Sequence, residues 1–492
     1  MHIAYLPLDD RPLNYAAGVR ADSVSPQRIL TPPRAILGSR RRPAPLKELG
    51  EWLGEHCGFT DSAVISLDAL LYGGLVQGRA AAEDEERSAE CDRLLRVISG
   101  RAAWLAAFFV WKRVWGNVFD ESGIGRVQRW ARLSPALAAQ QEASGFGVTE
   151  FLEKASAGDL RLEGMEAAES AEFAAARLRQ LTTALRLAEL CGALGVHLHI
   201  AVEDCVPGGW QEAELAHLRK QHPTRALTIA DGGDEAGAAL LAGALRRDGG
   251  ATPLRVAAAA PLDCRAPYES RTVAENLAVL ASLADAAVVS LPKEHTVRLQ
   301  GTPAPSDAYL ELTAGEAEAP ELRVLAERIQ PLKRVLLNQV TVDLTVTNGV
   351  NPELLDGFIM AEELPAATVQ CNTVSNRIGH GLLAGRLLAT SGRDAALAQL
   401  VVTGYLEDLV YNSYLRTKLL GEYGGLEPEP KDVAAAEAKL SRMATEIARR
   451  KFDGAELGGG RIAVQAARAR LPWRRWFEAE FEVEARLNVA QN

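Results

Sequence analysis

The chain has 492 residues, 48% of them hydrophobic and 24% charged, and its net charge at neutral pH is −10. Because a single hydrophobic core usually stops growing near about 250–300 residues, this length predicts two or three domains. The composition excludes extensive disorder, and the excess of acidic residues excludes a general electrostatic attraction to nucleic acid or anionic membranes.

The chain begins with a short apolar run over residues 2–6 that predicts a buried strand. The run is followed by Asp9, Asp10, Arg11 and Asn14. Polar groups at the carboxyl end of a strand are typical of sites in α/β proteins. We therefore predict Asp10 as a catalytic residue and Asp9, Arg11 and Asn14 as substrate-binding residues. The alternative is an acidic turn in which Arg11 neutralises one aspartate.

Strand-length apolar runs continue along the chain and alternate with helical patterns. The later runs lie at 29–31, 63–67, 105–110, 196–202, 226–230, 255–259, 287–291, 334–337 and 368–371. Amphipathic stretches lie between them, at 83–98, 169–191, 234–245 and 271–283. This alternation predicts an α/β fold of repeated βα units with a mostly parallel sheet in two lobes. An elaborated (β/α)8 barrel is the alternative, although the ten runs exceed its eight strands.

Two domains are predicted from composition along the chain. The first is an α/β domain over 1–300 with a helical insertion at about 118–190, a stretch rich in Ala, Glu, Leu and Arg. Residues 301–320 are poor in large hydrophobic residues and form the predicted linker. The second is an α/β lobe over 321–492 with carboxy-terminal helices and an edge strand at 477–487, where hydrophobic and polar residues alternate.

Four later apolar runs also end in carboxylates, at Asp68, Glu203-Asp204, Asp231 to Glu235, and Asp263. If these runs are parallel neighbours, their carboxylates meet at one mouth. Repulsion among so many carboxylates raises the free energy of the folded state unless the cluster binds a cation, hydroxyl groups or protons. We predict Asp68 and Glu235 as catalytic and Asp204 and Asp234 as substrate-binding residues. The alternative for any one aspartate is a helix cap, such as Asp234 for the stretch 234–245.

Further polar residues lie close to glycines or to a predicted helix start. Tyr72 precedes Gly73-Gly74, which permit close approach of a ligand to the backbone, and is predicted to bind substrate. In the second lobe, Asn372 and Asn376 follow the run 368–371 and are predicted to face the same pocket. The alternative for these two amides is ordinary capping of their own helix.

The cysteine pattern and the absence of several known sequence motifs limit the range of functions that the chain could have. Six scattered cysteines without a CxxC pair predict reduced, mostly buried thiols in the cytoplasm. Neither a secretory leader nor a membrane span is predicted. The chain has no GxxxxGK[ST], no GxGxxG after a strand and no GxSxG, which disfavours nucleotide binding and an α/β-hydrolase serine. His197 and His199 share one strand face, and we interpret them as core histidines rather than metal ligands.

Several motifs together resemble the bacterial domain-of-unknown-function family 4127. They are Leu6 to Asn14, Ser66-Leu67-Asp68 with Tyr72 to Leu75, Gly233-Asp234-Glu235, Asn348-Gly349, Asn372-Thr373 with Asn376 and Gly379, and Leu471-Pro472-Trp473 before Phe477-Glu478. Family members typically have Trp before the Asn-Thr pair, where this chain has Cys371. The resemblance covers the chain almost from end to end and implies no particular activity.

The carboxylates predict a cytoplasmic hydrolase of a small carbohydrate, most specifically a glycosidase with Glu235 as acid and Asp68 as base or nucleophile. One alternative is a non-catalytic sugar- or metabolite-binding protein. Another is a metal-dependent hydrolase or lyase, because clustered carboxylates also bind divalent cations. No cofactor is predicted, with a divalent metal as the alternative. The expected partner is a small carbohydrate and neither nucleic acid nor membrane, and a homo-oligomer is left open.

Overall fold

A computed structural model describes residues 2–40, 42–79, 84–113, 121–249, 254–258, 262–289, 296–300, 325, 327–345, 352–369, 372–390, 395–425 and 427–489. They form two compact units that interleave along the chain. The first unit comprises Met1–Asp10, Leu30–Leu240 and Arg265–Val279, and the second comprises Arg11–Ile29, Leu241–Cys264 and Leu280–Asn492. The predicted domains were instead sequential, with a boundary near residue 300. The predicted linker at 301–320 lies outside the described residues.

The first sheet has six strands in the order β2-β1-β3-β4-β5-β6. The strands are β1 (His2–Leu6), β2 (Arg28–Leu30), β3 (Ser62–Ser66), β4 (Trp104–Trp111), β5 (His197–Val202) and β6 (Leu227–Asp231). The pairs β1/β3, β3/β4, β4/β5 and β5/β6 are parallel. Strands β3 and β4 are almost entirely buried, as expected when helices cover both faces of a parallel sheet. The predicted α/β fold is confirmed, and the described residues contain no closed barrel.

Helices connect and cover the strands. They are α1 (Pro12–Val24), α2 (Leu46–His56), α3 (Leu67–Leu71), α4 (Leu75–Gly78), α5 (Glu85–Ser99), α6 (Glu121–Ser144), α7 (Val148–Ala157), α8 (Ala167–Leu194), α9 (Trp210–Gln221), α10 (Ala236–Gly249), α11 (Val273–Leu283), α12 (Pro352–Met360), α13 (Val374–Thr390), α14 (Ala395–Gly404), α15 (Arg416–Tyr423) and α16 (Val433–Phe452). Helices α6 to α8 occupy most of the predicted helical insertion, whose residues 118–120 lie outside the described residues. Helix α8 ends at Gly195, whose φ of +67° suits glycine.

A buried charged network joins β4 to helices α8 and α9 in the first unit. The Arg177 guanidinium forms an ion pair with Glu214, and its Nε donates to Glu214 Oε1 at 2.9 Å. The indole N–H groups of Trp111 and Trp210 donate to the same carboxylate at 3.0 and 2.6 Å. The Glu214 charge is therefore fully hydrogen-bonded, which offsets the cost of its burial.

The second sheet has eight strands and lies in the second unit. They are β7 (Leu254–Ala258), β8 (Ala286–Val289), β9 (Thr296–Gln300), β10 (Arg334–Asp343), β11 (Glu363–Val369), β12 (Glu456–Leu457), β13 (Gly460–Arg470) and β14 (Glu480–Val489). Their order is β14-β13-β12-β10-β9-β7-β8, with β11 also paired to β10. Strands β7 to β11 pair in parallel, whereas β13 pairs antiparallel to β12 and β14. Strand β14 forms the edge at which an alternating strand was predicted.

A π-helix over Tyr405–Leu415 joins α14 to α15 and packs into the core of the second unit. Tyr405, Tyr411, Phe452 and Trp476 are among the large buried side chains of this core. The Tyr411 hydroxyl donates to the Trp476 carbonyl at 2.7 Å, so the buried phenol is hydrogen-bonded.

Four of the five described cysteines are buried, and all five are free thiols. Burial raises the pKa of Cys57, Cys191 and Cys205 to about 12, which makes these thiols unreactive. The prediction of reduced, mostly buried cysteines is confirmed for them, whereas Cys371 lies outside the described residues. Within the described part of the chain, no helix is both long enough and apolar enough to cross a membrane.

Candidate functional site

The carboxyl ends of β1, β3, β4, β5 and β6 lie at the same edge of the first sheet, because these neighbouring strands are parallel. All six predicted site carboxylates follow these ends: Asp9 and Asp10 after β1, Asp68 after β3, Asp204 after β5, and Asp234 and Glu235 after β6. All six belong to the first unit. That Asp9, Asp10, Asp68 and Glu235 line one pocket stays a prediction.

Asp68 is held in a buried ion pair. Ser66 caps the short helix α3 by accepting from the Ala69 N–H at 3.2 Å, so the chain passes from β3 into the helix within one residue. This places the Asp68 carboxylate where Val110 N–H donates to Oδ2 at 2.7 Å and Lys112 Nζ lies 2.7 Å from Oδ1. Burial raises the pKa of Asp68, and Lys112 and the Val110 N–H oppose that rise.

Lys112 is itself enclosed by aromatic rings. Its Nζ lies 4.3 Å from the ring centroids of both Tyr72 and Phe109, a distance at which a cation is attracted to the face of a ring. The Lys112 side chain is 4% exposed. Tyr72, which was predicted to bind substrate, therefore contacts the buried ammonium group.

A second charged group lies after β4 and β5, where Arg79 and Arg113 contact Glu203 and Asp204. The Arg79 guanidinium pairs with Glu203, and Arg113 Nη2 and Nη1 lie 3.4 Å from Glu203 Oε1 and 3.0 Å from Asp204 Oδ2. Burial alone would raise the pKa of Glu203, but Arg113 and Arg79 lower it to about 2. Burial, and next to it the Glu203 charge, raise the pKa of Asp204. This group carries charges of both signs.

Glu235 differs from the other carboxylates because no cation is paired with it among the described residues. It is fully buried, its Oε2 accepts from the Gly233 N–H at 2.7 Å, and its Oε1 has no hydrogen-bond partner in the described part of the chain. Burial raises the pKa of Glu235 to about 8, and the charges of Asp234 and Glu269 add to the rise. A carboxyl with this pKa is mostly protonated at neutral pH.

Asp234 connects Glu235 to other members of the edge. Its charge acts on Glu235, on Asp204 and on the Tyr5 hydroxyl, so it lies within electrostatic reach of all three. Burial, followed by the charges of Asp9 and Asp234, raises the pKa of Tyr5. The ends of β1, β5 and β6 thus share one electrostatic environment in the first unit.

The carboxylate of Asp231, the last residue of β6, is held by an ion pair and several hydrogen bonds within the protein. It is fully buried and pairs with Arg271, whose Nη1 lies 3.0 Å from Oδ1. The Arg271 N–H donates to Oδ2 at 2.7 Å, the Ser270 hydroxyl donates to Oδ1 at 3.2 Å, and Asn276 Nδ2 lies 3.4 Å from Oδ2. These bonds connect the strand end to α11 and to the segment before it.

The remaining predicted site residues belong to the second unit. The Arg11 guanidinium lies 5.2 Å from the centre of the Trp473 ring, and Asn14 is buried in the first turn of α1. Asn376 Nδ2 donates to the Thr373 hydroxyl oxygen at 2.8 Å, a bond between two side chains. Asn372 has a left-handed φ of +58° and lines a cavity of the second unit. Asn348 and Gly349 lie outside the described residues.

Sequence reasoning missed the cations at this edge, namely Arg79, Lys112 and Arg113. Lys112 and Arg113 directly follow the apolar run of β4, just as the carboxylates follow other strands. That position was the available signal, because the residues that follow the parallel strands β1, β3, β4, β5 and β6 lie at the same edge of the sheet. Arg79 follows α4 and carries no comparable signal.

These features define an α/β protein whose first sheet carries buried carboxylates and their counter-cations at the carboxyl ends of its strands. Among the described residues, no three His, Cys, Asp or Glu side chains are grouped to hold a metal ion. The family model described as "Protein of unknown function (DUF4127)" matches residues 3–482, and the chain belongs to this family. The resemblance recognised from the motifs is thus confirmed. No curated protein and no solved structure matches the chain significantly.

Proposed function

We propose that the protein is a hydrolase of a small carbohydrate, a glycosidase acting in the cytoplasm, with Glu235 as its general acid. The observation that carries the proposal is the buried Glu235 carboxyl, whose pKa is raised to about 8. Glycoside cleavage requires a carboxylic acid that keeps its proton at neutral pH and a second carboxyl that is ionised.

The environment of Glu235 supports the acid role. Its Oε2 accepts from the Gly233 N–H, while Oε1 is the oxygen without a partner in the described chain. A proton on Oε1 would therefore not be donated in a hydrogen bond to any acceptor in the described part of the chain. General acids of this kind typically contribute about 10²–10⁴-fold to a rate.

The second carboxyl is proposed among Asp10, Asp68 and Asp234. Asp68 suits a nucleophile least, because Lys112 and the Val110 N–H engage both of its oxygens. Asp234 lies within electrostatic reach of Glu235, and Asp10 is half-buried at the end of β1. Carboxylates of this edge that are not catalytic are suited to accept hydrogen bonds from sugar hydroxyls.

The test is turnover of a panel of chromogenic glycosides, amino sugars included, with and without chelator. The variants are Glu235→Gln, Asp10→Asn, Asp68→Asn and Asp234→Asn, and Glu153→Gln is the matched control because Glu153 is an exposed carboxylate on α7. We expect Glu235→Gln to lose about 10²–10⁴-fold in kcat while still binding substrate, and Glu153→Gln to keep the wild-type rate.

The pH profile gives a second readout for the same role. Because an acid must be protonated to donate, the wild-type rate should fall as pH rises through about 8, the pKa of Glu235. Wild-type turnover in Glu235→Gln would overturn the proposal. Saturable sugar binding without turnover would instead indicate a binding protein, and activity lost to chelator alone would indicate the metal-dependent alternative.

A further inference from the structure

The second unit contains a cavity of about 160 Å³, and every residue that lines it belongs to that unit. The wall is built from helices α1, α13 and α14, the first residue of α15, strand β11, the π-helix and the segment before β14. An engineered protein cavity of about 150 Å³ admits one benzene molecule. The cavity therefore has room for one small organic molecule.

One part of the wall is hydrocarbon. Leu13, Leu383, Leu387, Leu400 and Phe477 contribute side chains to it. Burying an apolar group against such a surface is favourable by about 0.8 kcal/mol for each methylene. This part of the wall suits the aliphatic body of a ligand.

Charges of both signs line the rest of the cavity. They are carried by the guanidiniums of Arg20 and Arg416 and by the carboxylates of Glu407, Asp408 and Glu478. Arg20 Nη2 lies 2.5 Å from Glu407 Oε1, and Arg475, which is not part of the wall, lies 3.2 Å from Glu478. The wall itself carries two guanidiniums and three carboxylates. A ligand whose polar end carries only one charge would be repelled by the wall side chains that carry a charge of the same sign.

The backbone around the cavity is unusual at two places. Glu407, Asp408, Tyr411 and Asn412 reach the wall from the π-helix, and π-helical turns are rare and frequently occur at functional sites. Asn372 lines the cavity with a left-handed φ of +58°, a conformation that costs energy outside glycine. Both features concern the backbone, so they are observations separate from the charged side chains of the wall.

We propose that this cavity binds a small zwitterion with a hydrocarbon body, namely an amino acid with an aliphatic side chain. Its ammonium group contacts the carboxylates of the wall, its carboxylate contacts the guanidiniums, and its side chain packs on the leucines and Phe477. Arginine is well suited to the carboxylate because it donates two parallel hydrogen bonds. This site is separate from the strand-end carboxylates of the first unit and does not rest on the glycosidase proposal.

The test is titration calorimetry of the full chain with three matched compounds. L-leucine is the zwitterion, 3-methylbutylamine is the same skeleton without the carboxylate, and 4-methylpentanoate is the same skeleton without the amine. We expect L-leucine to bind about ten-fold or more tightly than either of the others, because each loses one charge-assisted contact. Equal affinity for all three, or no binding of L-leucine, would overturn the proposal.

Two variants place the binding in this cavity. Ala384→Phe fills it from α13 and should abolish L-leucine binding, whereas Ala438→Phe adds the same ring at an exposed position of α16 and should not. Asp408→Asn removes one wall carboxylate and should weaken binding about ten- to a hundred-fold, with Glu446→Gln on α16 as its exposed control. Circular dichroism checks folding, and if Ala384→Phe does not fold, Asp408→Asn decides. Wild-type binding in Asp408→Asn would contradict the assignment.

Discussion

Gly232 packs directly against the carboxyl group of Glu235. A Cβ atom at position 232 would lie 2.0 Å from Glu235 Oε1 and 2.6 Å from Oε2, far inside van der Waals contact. The backbone at Gly232 also has φ of +124°, which L side chains rarely adopt. A side chain at position 232 would thus strain the backbone and would require the end of the Glu235 side chain to shift.

We predict that Gly232→Ala destabilises the protein by at least about 1–3 kcal/mol, because the new methyl group both clashes with the carboxyl and strains the backbone. The measurement is the free energy of unfolding in urea. Gly233→Ala is the matched control, since a Cβ there would meet Val110 Cγ1 at an ordinary 3.8 Å. Equal losses in both variants would contradict this account of Gly232.

The pKa of Glu235 predicts a specific dependence of stability on pH. The carboxyl has a pKa of about 8 in the folded chain against 4.5 as its ordinary value. Between these values the folded state binds more protons at Glu235 than the unfolded state, so the contribution of this group to stability is greatest below about pH 4.5 and falls as pH rises to about 8. The slope for one such group is at most about 1.4 kcal/mol per pH unit.

Glu235→Gln removes this titration, so we expect the unfolding free energy of wild type to fall relative to the variant between pH 5 and pH 8. Urea unfolding at several pH values measures the difference. Glu153→Gln should instead follow the wild-type curve across the same range. Parallel curves for wild type and Glu235→Gln would show that the carboxyl is ionised throughout.

Much of the fold could be predicted because the signals are local. The continuous apolar run of β4 predicts a strand buried on both faces, and the charged residues that follow β1, β3, β5 and β6 lie at the edge that carries the candidate site. The interleaving of the two units could not be predicted. Helix α1 follows β1 closely in the chain but groups with residues such as Glu407, to which Arg20 is paired across 387 positions.

The site was predicted only in part, because carboxylates do not reveal their partners from sequence. Asp68 and Glu235 both follow strands, yet Lys112 pairs with the first and no described cation pairs with the second. That difference depends on which strand neighbours which, a property of the sheet order. The π-helix likewise escaped prediction, since its hydrophobic pattern is compatible with an ordinary α-helix.

The Asp68–Lys112 ion pair predicts a strong coupling between the two positions. Lys112→Met keeps an unbranched side chain between Tyr72 and Phe109 but leaves the Asp68 carboxylate buried without its cation. Breaking a buried pair from one side typically costs about 3–5 kcal/mol. We expect a loss of this size for Lys112→Met in urea unfolding.

The double variant Asp68→Asn/Lys112→Met should recover part of that loss, because no buried charge is left without a partner. A double-mutant cycle from the four unfolding free energies should give a coupling energy of about 0.5–3 kcal/mol. Additive losses from the two single variants would mean that the side chains do not interact in solution.

Lys451 is a buried lysine on α16 in the second unit. Its Nζ donates to the carbonyls of Gln330, Ile359 and Ala361 at 3.1, 3.4 and 2.7 Å. Lys451→Met leaves these carbonyls without this donor and should cost at least about 1–3 kcal/mol of unfolding free energy. Arg450→Met is the control, because it removes an exposed cation from the neighbouring position of the same helix.

The pH dependence of Lys451 has the opposite sign to that of Glu235. Burial lowers the pKa of Lys451 from 10.5 to about 8, so between these values the unfolded state binds more protons than the folded state. The wild-type free energy of unfolding should therefore rise relative to Lys451→Met as the pH increases from 8 to 10.5. Urea unfolding across this range measures the difference, and a gap that stays constant would show that the ammonium group is not perturbed by its burial.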